Sequence, residues 1–310
     1  MTNLAVALKA QGAYAEARPL YERALAIREQ ALGPDHPDTA MSLNNLAALL
    51  KAQGAYAEAR PLYERALAIR EQALGPDHPD TARSLNNLAA VLKAQGAYTE
   101  ARPLYERALA IREQVLRSDH PDLARSLNNL AAVLKAQGVY AEARPLYERA
   151  LAIREQVLGP DHPNTATSLH NLAALLDSQA AYAEARPLYE RALVIRERVL
   201  GPDHPTTAHS LNNLAALLAA QGAYADARLL LERALAIRER TLGPDHPKTA
   251  LSLHNLAVLL DNQGAYAEAC PLYERALVIR ERVLGPEHPD TRATQAALMA
   301  LDDHLHDSQA

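Results

Sequence analysis

A block of 42 residues, Gly33 to Leu74, recurs along this chain almost letter for letter, with successors starting at Gly75, Arg117, Gly159, Gly201 and Gly243. Self-similarity at this period marks an array in which each unit packs on its neighbours. The chain therefore divides into a partial first copy (1–32), full copies at 33–74, 75–116, 117–158, 159–200, 201–242 and 243–284, and a terminal segment, 285–310. One copy buries too little apolar surface to offset the cost of ordering its backbone, so stacking is obligatory.

Each copy reads as two helices. Pro37 suits a first helical position and Asp38 complements the positive helix end. Leu43, Leu46, Ala47 and Leu50 then recur at i, i+3, i+4 and i+7, the stripe of one helix face. Gln53-Gly54-Ala55 ends that helix, with Gly54 expected in the left-handed region. A second helix is expected from about Tyr56 to Leu74, apolar at Ala59, Tyr63, Ala66 and Ile69, with Pro61 bending its first turn and Gly75-Pro76 stopping it. No stretch alternates like a strand. The fold class is all-α, a solenoid of stacked antiparallel helix pairs.

The letters N-L-A-x-L-L, Q-G-x-Y and A-x-x-L-Y-x-x-A-L-x-I resemble the tetratricopeptide repeat. The 42-residue period, with S-L-N-N-L-A, R-P-L-Y-E-R-A-L-x-I-R-E and G-P-D-H-P, is similar to the kinesin light chain-like and nephrocystin-like form. That resemblance implies a right-handed superhelix whose first helices line a concave groove. It also implies a non-catalytic scaffold that holds a peptide or partner domain there. Two alternatives come with it: the sensor arm of a larger bacterial-type signalling ATPase, or a cargo adaptor lacking the coiled coil.

Composition narrows the classes. With 37 acidic against 32 basic residues there is no basic excess for nucleic acid or membrane surfaces. The thirteen aromatics are all Tyr and fall at two repeat positions that the resemblance places in the core, leaving none for base stacking. Cys270 is the single cysteine and sits where other copies carry Arg60 or Arg102, an exposed and structurally idle position. With no apolar run near 20 residues and no signal-like start, a cytoplasmic location is expected. Seven of twelve histidines (His36, His78, His120, His162, His204, His246, His288) open successive first helices. Neighbouring helices lie about 8–10 Å apart, too far for shared zinc ligation at ~2 Å, so these are helix-start residues rather than metal ligands. The repeated Ser42, Ser84 and Ser126 lack a fixed base, and no phosphate loop is present, so neither enzyme activity nor a cofactor is expected.

What varies is the first-helix face opposite the leucines: Met41, Asn44, Asn45, Ala48, Lys51 and Ala52. One candidate for peptide binding is an asparagine ladder, Asn45, Asn87, Asn129, Asn171, Asn213 and Asn255, continued at Asn3. Its amides either pair with an extended peptide or bond the adjacent repeat. The other is a charge gradient. Lys51, Lys93 and Lys135, with Lys9, share one position, and Arg83 and Arg125 another, whereas later copies read Asp177, Ala219 and Asp261. A basic first half would hold an acidic segment, while the second half is mildly acidic. The Glu/Arg letters of the second helix (Glu64, Arg65, Arg70, Glu71) read as solvated, self-compensating charge. Ala180 replaces the inter-helix Gly, Arg117-Ser118 the Gly-Pro stop, and Leu229 and Leu231 a Pro and a Tyr. Met1 falls at the Leu43 position, so a preceding region is expected, and near-identical copies make end-to-end self-association an expectation as well.

Overall fold

The computed structural model describes residues 2–307, so Met1 and the tail after Asp307 lie outside the described residues. These residues form fifteen helices and no strand. They fall into two compact units, Met1–Val157 and Leu158–Ala310. The first unit holds α1 (Thr2–Ala10), α2 (Tyr14–Leu32), α3 (Pro37–Ala52), α4 (Tyr56–Leu74), α5 (Pro79–Ala94), α6 (Tyr98–Val115), α7 (Pro121–Ala136) and α8 (Tyr140–Leu158), which ends at the boundary. The second holds α9 (Pro163–Ser178), α10 (Tyr182–Leu200), α11 (Pro205–Ala220), α12 (Tyr224–Leu242), α13 (Pro247–Asn262), α14 (Tyr266–Leu284) and α15 (Pro289–Asp307).

Helix starts and stops follow local chemistry. From α3 to α13, the histidine before each first helix is its N-cap: His78 Nδ1 accepts from the backbone N–H of Asp80 at 3.1 Å, with Pro79 in the first position. Gly54 is left-handed at φ 79°, and the second helix runs unbroken through Pro61. Gly75 at the far end has φ 96° and ψ 161°, a region open essentially to glycine alone. Its carbonyl accepts from Thr81 Oγ1 at 2.8 Å, locking the turn to the next helix. At Arg117-Ser118 that lock is replaced as a pair. Leu116 ends α6 in ordinary extended backbone, and Leu123, buried, stands at the threonine position.

Within each unit the core lies between successive hairpins. Leu43, Leu46, Ala47, Leu50, Ala59, Tyr63, Ala66 and Ile69 are all buried. Ala40, Leu43, Ala66 and Ile69 form one cluster, with Leu25 of the preceding hairpin packed on it. Ala250, Leu253, Ala276 and Ile279, with Leu235, repeat it in the second unit. First helices of successive hairpins touch (α3 with α5, α5 with α7, α9 with α11, α11 with α13), while the second helices stand further apart. The first helices therefore line the inner side of each stack.

One charged residue departs from the expected solvated face. Arg70 is buried, and its Nη1 donates to Ser84 Oγ at 2.7 Å and to the Asp80 carbonyl at 3.2 Å. Arg28, Arg112, Arg196 and Arg238 repeat the bond, to Ser42, Ser126, Ser210 and Ser252, and Arg280 makes it to Thr294. Burial pushes the Arg70 guanidinium below its ordinary range. The repeated serine is thus the acceptor for a cation from the previous hairpin. Arg65 and Glu64 do remain on the outer surface, where Arg65–Glu29 and Arg60–Glu100 pairs link neighbouring second helices and Arg60–Glu64 pairs within one helix. Cys270 is half-buried rather than exposed.

Candidate functional site

The inner face is assembled from the variable letters of the first helices. The asparagine ladder is half-buried and bonded from repeat to repeat. Asn87 Nδ2 donates to Asn44 Oδ1 at 3.2 Å, Asn129 to Asn86 at 3.0 Å, and Asn255 to Asn212 at 3.2 Å. In the second unit Asn213 Nδ2 meets His170 Nε2 at 3.0 Å, so a histidine takes the acceptor's place. Asn44, expected on the open face, is buried, and its own Nδ2 donates to the Ala40 carbonyl at 2.9 Å. One donor of each bonded ladder amide is thus committed to the stack. Asn45 and Asn171 are likewise half-buried, on α3 and α9.

The lysines of the first unit form a column near the C-terminal ends of α1, α3, α5 and α7. Lys51, Lys93 and Lys135 are half-buried, as is Lys9. Burial lowers Lys9, Lys51 and Lys93 from their ordinary value, and Lys51 pushes both Lys9 and Lys93 down further by like-charge repulsion. Among the described residues, no carboxylate lies within ion-pair distance of Lys51 or Lys93. Arg83 and Arg125 behave differently. Both are exposed, and each is held by an aspartate of its own helix, Asp80 at 3.0 Å and Asp122 at 2.9 Å. The structure thus separates Lys51 and Lys93, with no carboxylate at ion-pair distance among the described residues, from the self-paired Arg83 and Arg125.

In the second unit the acidic letter Asp261 sits beside Tyr273, whose hydroxyl donates to it at 3.4 Å. Several departures converge there on one pocket of about 510 Å³. Ala219 stands where the first unit has lysine, Leu231 where it has tyrosine, and His254 and Val258 where it has asparagine and alanine; all four line the pocket together with Asn212 and Asn255. Tyr224 at its edge is exposed, whereas its counterparts Tyr56 and Tyr98 are half-buried. Each substitution is visible in the sequence; only the fold brings them to one place. Among the described residues there is no cluster of metal-ligating side chains, and no helix is long and apolar enough to cross a membrane.

Tetratricopeptide repeat models match residues 1–72, 42–114, 83–156, 122–193 and 179–240, and a further tetratricopeptide repeat model matches 249–290. Solved structures agree. A kinesin light chain-like protein of Podosopora anserina with nearly identical repeats is 34% identical, with a TM-score of 0.58 over 66% of this chain and 97% of that one. BtubC (BKLC) of P. vanneervenii is 26% identical, with a TM-score of 0.60 over 77% and 94%. Apo RapI, at 14% identity, shares the fold with a TM-score of 0.70 over 91% and 97%. No curated protein matches the chain.

Proposed function

The chain belongs to the tetratricopeptide repeat family, a fold of protein–protein interaction, and on that premise we propose that it holds an acidic, extended segment of a partner protein on the inner face of its first unit. The single observation carrying this is the lysine column. Lys9, Lys51 and Lys93 are partly desolvated and mutually repelling, and Lys51 and Lys93 have no ion-pair carboxylate among the described residues. Such an arrangement raises the energy of the unbound protein, and a carboxylate-bearing ligand relieves it. The ladder amides beside the column retain donor and acceptor capacity beyond the one bond each makes, enough to align a backbone without reading its sequence. Arg83 and Arg125 border the track as secondary contacts, since each must first leave its own aspartate. No catalytic step is part of this role, and a cytoplasmic location belongs to the same proposal.

The test is fluorescence anisotropy of a labelled glutamate-rich peptide on the full chain at low salt. Lys51→Glu with Lys93→Glu should weaken binding by at least about tenfold, and Arg83→Glu by distinctly less. Equal affinity for wild type and the double lysine variant contradicts the proposal.

A further inference from the structure

The second unit contains a basic pocket at the starts of its first helices, apart from the lysine column. In the first unit, the second residue of each groove helix is an acid, Asp80 in α5 and Asp122 in α7. It pairs the fifth residue, Arg83 or Arg125, and it also offsets the buried arginine arriving from the previous hairpin, Arg70 or Arg112. In α11 and α13 that acid is absent. The second residues are Thr206 and Lys248, and the fifth are His209 and Leu251. These four letters, with Pro205 and Arg238, enclose a pocket of about 410 Å³ without one acidic residue in its lining.

Arg238 at its base is 2% exposed. Its Nη1 donates to Ser252 Oγ at 2.8 Å and to the Lys248 carbonyl at 2.9 Å, both neutral acceptors, leaving further guanidinium donors. Burial disfavours its charge, and no neighbouring aspartate compensates, in contrast to Arg70, Arg112 and Arg280. The His209 ring lies 5.1 Å from the His170 ring, and burial followed by the charges of Arg196, Arg238 and Lys248 pushes it below its ordinary value. Among the described residues, no carboxylate lies within ion-pair distance of Lys248.

We propose that this pocket docks a phosphoryl group, a phosphomonoester whose oxygens meet Arg238, Lys248, His209 and Thr206 while Pro205 and Leu251 border the carbon body that carries it. The polar groups come from three helices, α11, α12 and α13, so they surround a tetrahedral anion with three terminal oxygens better than a planar carboxylate with two. The pocket stands independently of the acidic-segment role assigned to the first unit.

Calorimetric titration of the full chain with O-phospho-L-serine, inorganic phosphate and glutamate tests this. O-phosphoserine should bind more tightly than glutamate. Lys248→Asp, which installs the acid found at this position in α3, α5 and α7, should weaken it at least about tenfold, and Lys248→Arg should retain it. Lys93→Glu should leave it unchanged, which separates this site from the lysine column. O-phosphoserine binding above inorganic phosphate assigns a phosphorylated side chain, and the reverse order assigns free phosphate; either order supports the site. Lys248 is exposed, so Lys248→Asp should keep wild-type helix content by circular dichroism. Unchanged affinity in that variant, or equal affinity for O-phosphoserine and glutamate, overturns the proposal.

Discussion

Two arginines on the same helix have opposite consequences for stability. Arg70 is enclosed and bonded to Ser84, whereas Arg65 reaches the outer surface and pairs with Glu29 at 2.6 Å. Removing the Ser84 hydroxyl leaves a buried cation short of an acceptor, so Ser84→Ala should cost about 1–3 kcal/mol in denaturant unfolding. Arg65→Ala should cost less, no more than about 1 kcal/mol, because a pair at the surface is only partly withdrawn from solvent screening. The two letters look alike in the sequence, both on a charged helix surface; only the approach of the next hairpin distinguishes them. Ala180 is the complementary case. It is the one non-glycine among the described residues with positive φ, at 57°, where the other copies have glycine. Ala180→Gly should therefore stabilise the protein by about 1 kcal/mol, read as a higher thermal midpoint.

At the scale of helices and their junctions, the two glycines of each copy do different work. Gly54 adopts φ 79°, whereas Gly75 adopts φ 96° with ψ 161°, and nothing lies near where a Cβ would be at either. Substitution costs are thus torsional. Gly54→Ala should cost about 1 kcal/mol and Gly75→Ala about 2–3 kcal/mol, compared by chemical unfolding. The hairpins, caps and leucine core were legible in the letters because periodicity, Pro and Gly report local backbone states. The fate of the asparagine ladder was not, since an amide at Asn129 facing a peptide and one bonded to Asn86 share the same spacing. His254 adds a pH dependence at the junction of α13 with α15. Burial and Arg280 hold it down to about 4, below its ordinary 6.5, so between those values the unfolded chain binds a proton that the folded chain does not. Its contribution is complete above about pH 6.5 and is lost as pH falls toward 4. The thermal midpoint should fall more steeply over that window in wild type than in His254→Asn, the residue found at the same position in other copies.

Across the molecule, near-identical hairpins support two units whose inner faces differ through a few letters. The first keeps lysines at one position and self-paired arginines at another; the second exchanges them for Ala219 and Asp261 and for His209 and Leu251, and puts Lys248 where the first has Asp80 or Asp122. The repetition dictates the stack and leaves those letters free to define recognition. A charge count along the sequence made the second half mildly acidic. The folded arrangement separates Asp261, at the end of its helix beside Tyr273, from Lys248 and Arg238 at the opposite end. The chain has only five lysines, Lys9, Lys51, Lys93, Lys135 and Lys248. Amine-reactive footprinting of the full chain, with and without a glutamate-rich peptide, therefore reads the proposed track directly. Strong protection of Lys51 and Lys93 with little change at Lys248 is the expected result; equal labelling of Lys51 and Lys93 in the free and peptide-bound protein would contradict it.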